Sequence, residues 1–150
     1  MYQKIMVPVD DSQASLRALN EAIKMAKLSG AALRAVHVVD LAQFSWGGTG
    51  YLQSEEVRKA IAATGEKVLQ RTREQLQENG IEAETAILES AGDKVADLLV
   101  NDSRANDVDL LIMGTHGFSG LMHLLMGSVA EGVLRQADIP VMLLRVQDDD

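Results

Sequence analysis

Residues 4–9, Lys4-Ile5-Met6-Val7-Pro8-Val9, form a short apolar run that gives way to Asp10-Asp11-Ser12. Leu16, Leu19, Ile23 and Ala26 then recur at helical spacing until Gly30, which reads as a strand, a polar cap and an amphipathic helix. Residues 32–39 are a second apolar run, closed by Asp40. The stretch Phe44-Ser45-Trp46-Gly47-Gly48-Thr49-Gly50 holds too much glycine for regular structure. A long charged helix is predicted over about 54–79, with Val57, Ile61, Val68, Thr72 and Leu76 on one face and Asn79-Gly80 at its end. Residues 82–88 alternate glutamates with apolar side chains, as a half-exposed strand does. Val95, Leu98 and Leu99, after Gly92, mark another helix, and residues 109–113 a buried strand that runs into Gly114. A glycine-punctuated apolar loop then leads to a helix from about 129, and 139–146 is the last strand.

This βαβαβαβαβ order, with inner strands that are almost wholly apolar, predicts the α/β class: a doubly wound five-stranded parallel sheet covered on both faces. Right-handed crossovers limit the topology, and the order 3-2-1-4-5, with the first strand central, is the expectation. Pro8 fits a central strand only at its carboxyl end, where no ladder hydrogen bond is lost. Ligands of such sheets bind beyond the carboxyl ends, where the winding reverses. That crevice lies between strands one and four and collects Pro8, Val9 and Asp10 on one side and Met113 and Gly114 on the other. No repeat, linker or second domain is visible, so the expectation is one domain over 1–147 with an acidic tail at 148–150.

Composition narrows the chemistry. The chain has 150 residues, 47% of them hydrophobic but only 3% aromatic, so the core must be packed from aliphatic side chains and methionine. It has no cysteine, which excludes disulfides, thiolate catalysis and cysteine-ligated metal sites. A formal net charge of -8 argues against nucleic-acid binding, which needs clustered Lys and Arg. No apolar run approaches the ~20 residues of a membrane span, and no secretory leader is recognisable. The expected compartment is the cytoplasm, with no direct membrane insertion.

At the crevice the sequence reads Gly114-Thr115-His116-Gly117, then nine residues, then Gly127-Ser128-Val129. Glycines there let backbone N–H groups turn inward. The head of the next helix points its free amides and positive dipole end at the same place, and Ser128 adds a hydroxyl. The assembly is a phosphate cradle made mostly of backbone. Ser128-Val129-Ala130-Glu131 is equally a capping box, in which Ser128 merely starts its helix.

The spacing G-2x-G-9x-G-[ST] resembles the nucleotide signature of the universal stress protein family. The opening Lys4-Ile5-Met6-Val7-Pro8-Val9-Asp10, the second-strand end Val36-His37-Val38-Val39-Asp40, and the closing Asp109–Gly114 and Ile139-Pro140-Val141 segments are similar to that family as well, so the resemblance spans the chain. It implies the adenine-nucleotide-binding, Rossmann-like branch, with ATP as ligand. By position, Pro8, Val9 and Asp10 would line the adenosine side. Val38 and Val39 would wall the adenine, with Met113 beneath it. Gly114, His116 and Gly117 would contact ribose and phosphate, and Gly127, Ser128 and Val129 would hold the phosphate chain.

Other residues divide between roles. Asp10 either faces the ligand, as the candidate Mg ligand, or caps the first helix with Asp11 and Ser12. His37 reads as a hydrogen-bonded packing residue. Asp40 ends a strand as a ribose-binding acid does, but no G-x-G-x-x-G precedes it. His123, in a Met-rich apolar stretch, reads as a cover, and Trp46 as a surface loop or a lid. Glu82 and Glu84 suit an exposed sheet edge. The fifth strand, residues 139–146, is apolar on both faces and predicts a homodimer across a two-fold axis, which the resemblance also implies; a tetramer is a further step. No P-loop, S-G-G-x-D-S or HIGH signature occurs. Turnover would need an activating base, for which only Asp10 with a metal offers itself, so the expectation is binding with slow hydrolysis at most. The function expected is a regulatory, stress-response dimer whose ATP occupancy controls assembly or docking to a transporter or kinase. The alternatives are a nucleotide-independent interaction module and a weak ATPase.

Overall fold

A computed structural model describes residues 1–40, 55–90, 94–116 and 126–145. The elements are β1 (Lys4–Pro8), α1 (Gln13–Ser29), β2 (Ala32–Asp40), α2 (Glu55–Glu78), β3 (Ala83–Ser90), α3 (Val95–Ala105), β4 (Leu110–Gly114), α4 (Ser128–Gln136) and β5 (Val141–Leu144). They build a five-stranded sheet in the order β3-β2-β1-β4-β5, parallel throughout, so the expected topology holds. Pro8 is the last residue of β1 and lies opposite Val36. β1 meets β4 only through Ile5↔Leu110 and Met6↔Leu111, so the missing amide of Pro8 interrupts nothing on that side.

Alternation along the strands divides the core into two layers. Ile5, Val7, Leu33, Ala35, Leu110 and Ile112 face α1 and α2, where Leu19, Ile23, Leu69 and Leu76 close over them. Met6, Val36, Val38, Leu111 and Met113 face α3 and α4, packed against Leu99, Val100 and Val133. Helix α1 starts at Ser12, whose hydroxyl accepts from Ser15 N at 3.1 Å, and stops at Gly30 in the left-handed region with φ 75°. Of the stripe expected on α1, Leu19, Ile23 and Ala26 are buried, whereas Leu16 is 52% exposed. Ala14, Ala18 and Ala22 are buried beside them, because α1 lies so close to the sheet that small side chains fill the contact. β5 is shorter than expected, although the Pro140 carbonyl already accepts from Leu111 N at 3.0 Å.

The amino end of the sheet carries a charge cluster on the α3 face. Arg34 donates to Asp102 of α3 through two nitrogens, at 2.8 and 2.9 Å, and to Glu84 at 3.1 Å. Lys4 also reaches Glu84, at 2.9 Å. Glu84 stands on the edge strand β3, as expected, and its carboxylate is also tied to β1 and β2. No helix of the described residues is long and apolar enough to cross a membrane.

Candidate functional site

Three chain segments meet beyond the carboxyl ends of β1 and β4. Pro8 and Asp10 arrive from β1, and Met113, Gly114, Thr115 and His116 from β4. The head of α4 brings Gly127, Val129 and Ala130. Between them the walls leave about 20 Å³, room for one water, so a larger occupant seats at the mouth or with the walls parted.

Hydrogen bonds fix each segment. The Asp10 amide donates to Ser15 Oγ at 2.8 Å, and Asp10 Oδ1 accepts from the Ser12 amide at 2.7 Å. One carboxylate oxygen thus holds the turn into α1, which is part of the capping role, and the other is left to the crevice. Asp11 turns away to Arg71, 2.8 Å distant. On the β4 side the Thr115 amide extends the sheet by donating to the Leu144 carbonyl at 2.9 Å, and the Thr115 carbonyl accepts from the Gly127 amide at 2.7 Å. The Gly127 amide, expected to face a ligand, is engaged inside the protein.

Gly127 is the N-cap of α4, with no side-chain cap, and Ser128 is the first helical residue. The capping-box reading of Ser128 therefore fails. The amides of Ser128, Val129 and Ala130 lack an intrahelical carbonyl partner by their position in the first turn, and the positive end of the helix dipole lies there. Beside it sits His116, 7% exposed. Its Nδ1 is 3.0 Å from Thr115 Oγ1, while its Nε2 is buried with no hydrogen-bond partner among the described residues. An unpaired buried polar atom costs about 1–3 kcal/mol, and a ligand in the crevice would relieve that.

Gly114 has a reason of its own. A Cβ built there would stand 2.7 Å from Ala14 Cβ and 3.3 Å from the Ala14 backbone, so the glycine admits the first turn of α1 against β4. Nothing in its φ requires glycine, since among the described residues the positive values belong to Gly30, Gly80 and Asp107. The expectation that it frees an inward amide is replaced by this packing reason.

Of the residues expected at the site, the structure brings together Pro8, Asp10, Met113, Gly114, His116, Gly127 and Val129. Val9 instead lines a neighbouring cavity of about 260 Å³ between α1 and α2. Val38 packs in the same layer as Met113, whereas Val39, buried at 6%, projects from the opposite face by alternation. One strand cannot turn both valines to the same wall. Ser128 is exposed. Gly117, Trp46 and its loop, His123 and the acidic tail lie outside the described residues, as does the side chain of Asp40. Ser15, Thr115 and Ala130 line the crevice without having been expected there. The spacing Ser12-x-x-Ser15, one hydroxyl capping and the next facing inward, was the available signal for Ser15. Among the described residues no group of three or more His, Cys, Asp or Glu side chains could hold a metal.

The family model described as "Universal stress protein family" matches residues 1–145. Universal stress protein MJ0531 of Methanocaldococcus jannaschii is 34% identical over 97% of this chain and 83% of its own length. Universal stress protein YxiE of Bacillus subtilis is 30% identical over 97% of this chain and 100% of its own. The solved structure of hypothetical protein MJ0577 aligns with a TM-score of 0.85 over 99% of both chains at 22% identity. A universal stress protein in complex with cAMP aligns with a TM-score of 0.67 at 25% identity, over 96% of this chain and 97% of that one. One from Archaeoglobus fulgidus in complex with dAMP gives 0.68 at 24% identity, over 95% and 97%.

Proposed function

The chain belongs to the universal stress protein family, and on that premise we propose that it binds an adenine nucleotide, ATP, at the crevice beyond β1 and β4. The observation that carries the reading is the Nε2 of His116, buried and unpartnered among the described residues, beside the open first turn of α4, a donor-rich corner suited to anionic oxygens. Family proteins solved with cAMP and with dAMP support a nucleoside phosphate as the class of ligand. The free oxygen of Asp10 would face the ribose or, with phosphate oxygens, a Mg ion. Met113 and Val38 supply an apolar wall for the base. Among the described residues Asp10 and His116 are the titratable groups that line the crevice, and we place hydrolysis at slow or none, and the role at regulation.

β5 is an edge strand whose four side chains are all half-buried on one subunit. A homodimer through this edge would complete their burial, and nucleotide occupancy would control assembly or docking to a partner such as a transporter or kinase. Calorimetry on nucleotide-stripped protein titrated with ATP, ADP and AMP tests the reading. Saturable heat at one site per chain, weakened at least tenfold by His116→Ala, is the expected result. No heat with any of the three would leave the nucleotide-independent interaction module in its place.

A further inference from the structure

The peptide group between Val9 and Asp10 is gripped at both ends. Its oxygen lies 2.9 Å from His37 Nδ1, and its N–H donates to Ser15 Oγ at 2.8 Å. A carbonyl only accepts, so Nδ1 carries the hydrogen of the first bond. The peptide is planar and stiff. Fixing its oxygen from β2 and its nitrogen from α1 restrains its rotation, and so sets the backbone from which the Asp10 side chain, held through Oδ1 by the Ser12 amide, departs. Val9 lies one residue beyond the end of β1, and its carbonyl takes the His37 side chain of β2 where a ladder amide would otherwise stand. The Val9 amide is already on β2, donating to the Val36 carbonyl at 2.8 Å.

A second element makes room for the ring. Gly65 lies in the interior of α2, where glycine is disfavoured by roughly 1 kcal/mol against alanine. A Cβ there would stand 3.0 Å from His37 Cδ2 and 3.3 Å from Ile87 Cδ1. Its place in the helix is explained by the imidazole that leans on it.

We infer that His37 is a positioning residue for the crevice, which acts through the Val9 carbonyl to aim the Asp10 carboxylate. This deepens, and rests on, the nucleotide reading of the same site. His37 lies on the α1–α2 face, whereas the crevice opens between the tips of β1 and β4. Its action on a ligand therefore goes through Asp10.

The test uses the intact chain with His37→Leu, which keeps bulk and removes the donor, and His37→Asn, whose amide nitrogen takes the place of Nδ1. Gly65→Ala crowds the ring from the far side. In ligand-free protein, hydrogen exchange at the Asp10 amide should speed up about tenfold in His37→Leu and return to within threefold of the parent in His37→Asn. ATP affinity should fall about tenfold in His37→Leu and by a smaller factor in Gly65→Ala, with His37→Asn close to the parent. A purely structural histidine would lower thermal stability in both His37 variants without this split. Unchanged Asp10 exchange in His37→Leu overturns the inference. A parent chain that binds no nucleotide, with Asp10 exchange still altered, overturns the nucleotide reading and leaves the positioning of Asp10 supported.

Discussion

Replacing Gly114 with alanine adds a single methyl group at the tightest contact between α1 and the sheet. That methyl would lie 2.7 Å from Ala14 Cβ and 3.3 Å from the Ala14 carbonyl carbon and oxygen, where carbon atoms settle at about 3.5–4.0 Å. Helix α1 must retreat by about 1 Å, and its buried Ala18, Ala22 and Ile23 must leave their fitted places with it. Overpacking of this kind costs about 1–3 kcal/mol. For a chain of this size that corresponds to a fall in Tm of roughly 2–12 °C. Urea denaturation followed by circular dichroism should show a lower midpoint at an unchanged slope. The double variant Gly114→Ala/Ala14→Gly removes the clashing methyl from the helix instead. It should recover most of the loss, with a favourable coupling of about 1 kcal/mol or more. Retreat of α1 also carries Ser15 away from the Asp10 amide, so ATP affinity should fall in the single variant and return in the double. Parent-like stability of Gly114→Ala, or strict additivity in the cycle, would refute the packing account of this glycine.

Three further outcomes are expected. Asp102→Asn leaves Arg34, whose side chain is only 11% exposed, with Glu84 as its remaining anionic partner and should destabilise the chain by roughly 1–3 kcal/mol in urea titration; a loss below about 0.5 kcal/mol would show that the pair is dispensable. The Lys4 hydrogen bond, aided by Arg34 and opposed by burial, lowers the Glu84 carboxyl below its ordinary value. Its contribution is complete above the ordinary carboxylate pKa and is lost as pH falls through the lower folded value, so Glu84→Gln should flatten the acid limb of stability against pH and leave the slope in the neutral region as it is in the parent. The carbonyls of Pro140 and Leu144 face β4, so by alternation the Val141 amide faces the open edge; Val141→Pro should convert a dimer to a monomer in sedimentation velocity with the helical and strand signal retained.

The fold was legible because its pattern is local. Inner strands buried on both faces read as unbroken apolar runs, Gly30 ended α1 where a left-handed cap was needed, and Pro8 fixed the end of the central strand. Of the predicted α1 stripe only Leu16 misled, because spacing alone cannot tell the margin of a buried face from its centre when the alanines beside it pack at close range. At the site, the crevice and seven of its expected residues followed from topology and the glycine motif. The Gly127 amide and the reason for Gly114 did not, since both depend on contacts with residues distant in sequence, Thr115 and Ala14. The His37 bond to Val9 crosses from one strand tip to the next, and only the register of β1 on β2 brings the two together.

The central claim is that the corner formed by β4 and the head of α4 receives the phosphates of an adenine nucleotide. It is tested most directly by ¹H–¹⁵N correlation spectra of the labelled chain during titration with ATP. The amides of Thr115, His116, Ser128, Val129 and Ala130 should shift together along one saturable curve, with the His116 Nε2 resonance changing in step. Shifts confined to other parts of the chain, or none at millimolar ATP, would contradict the account.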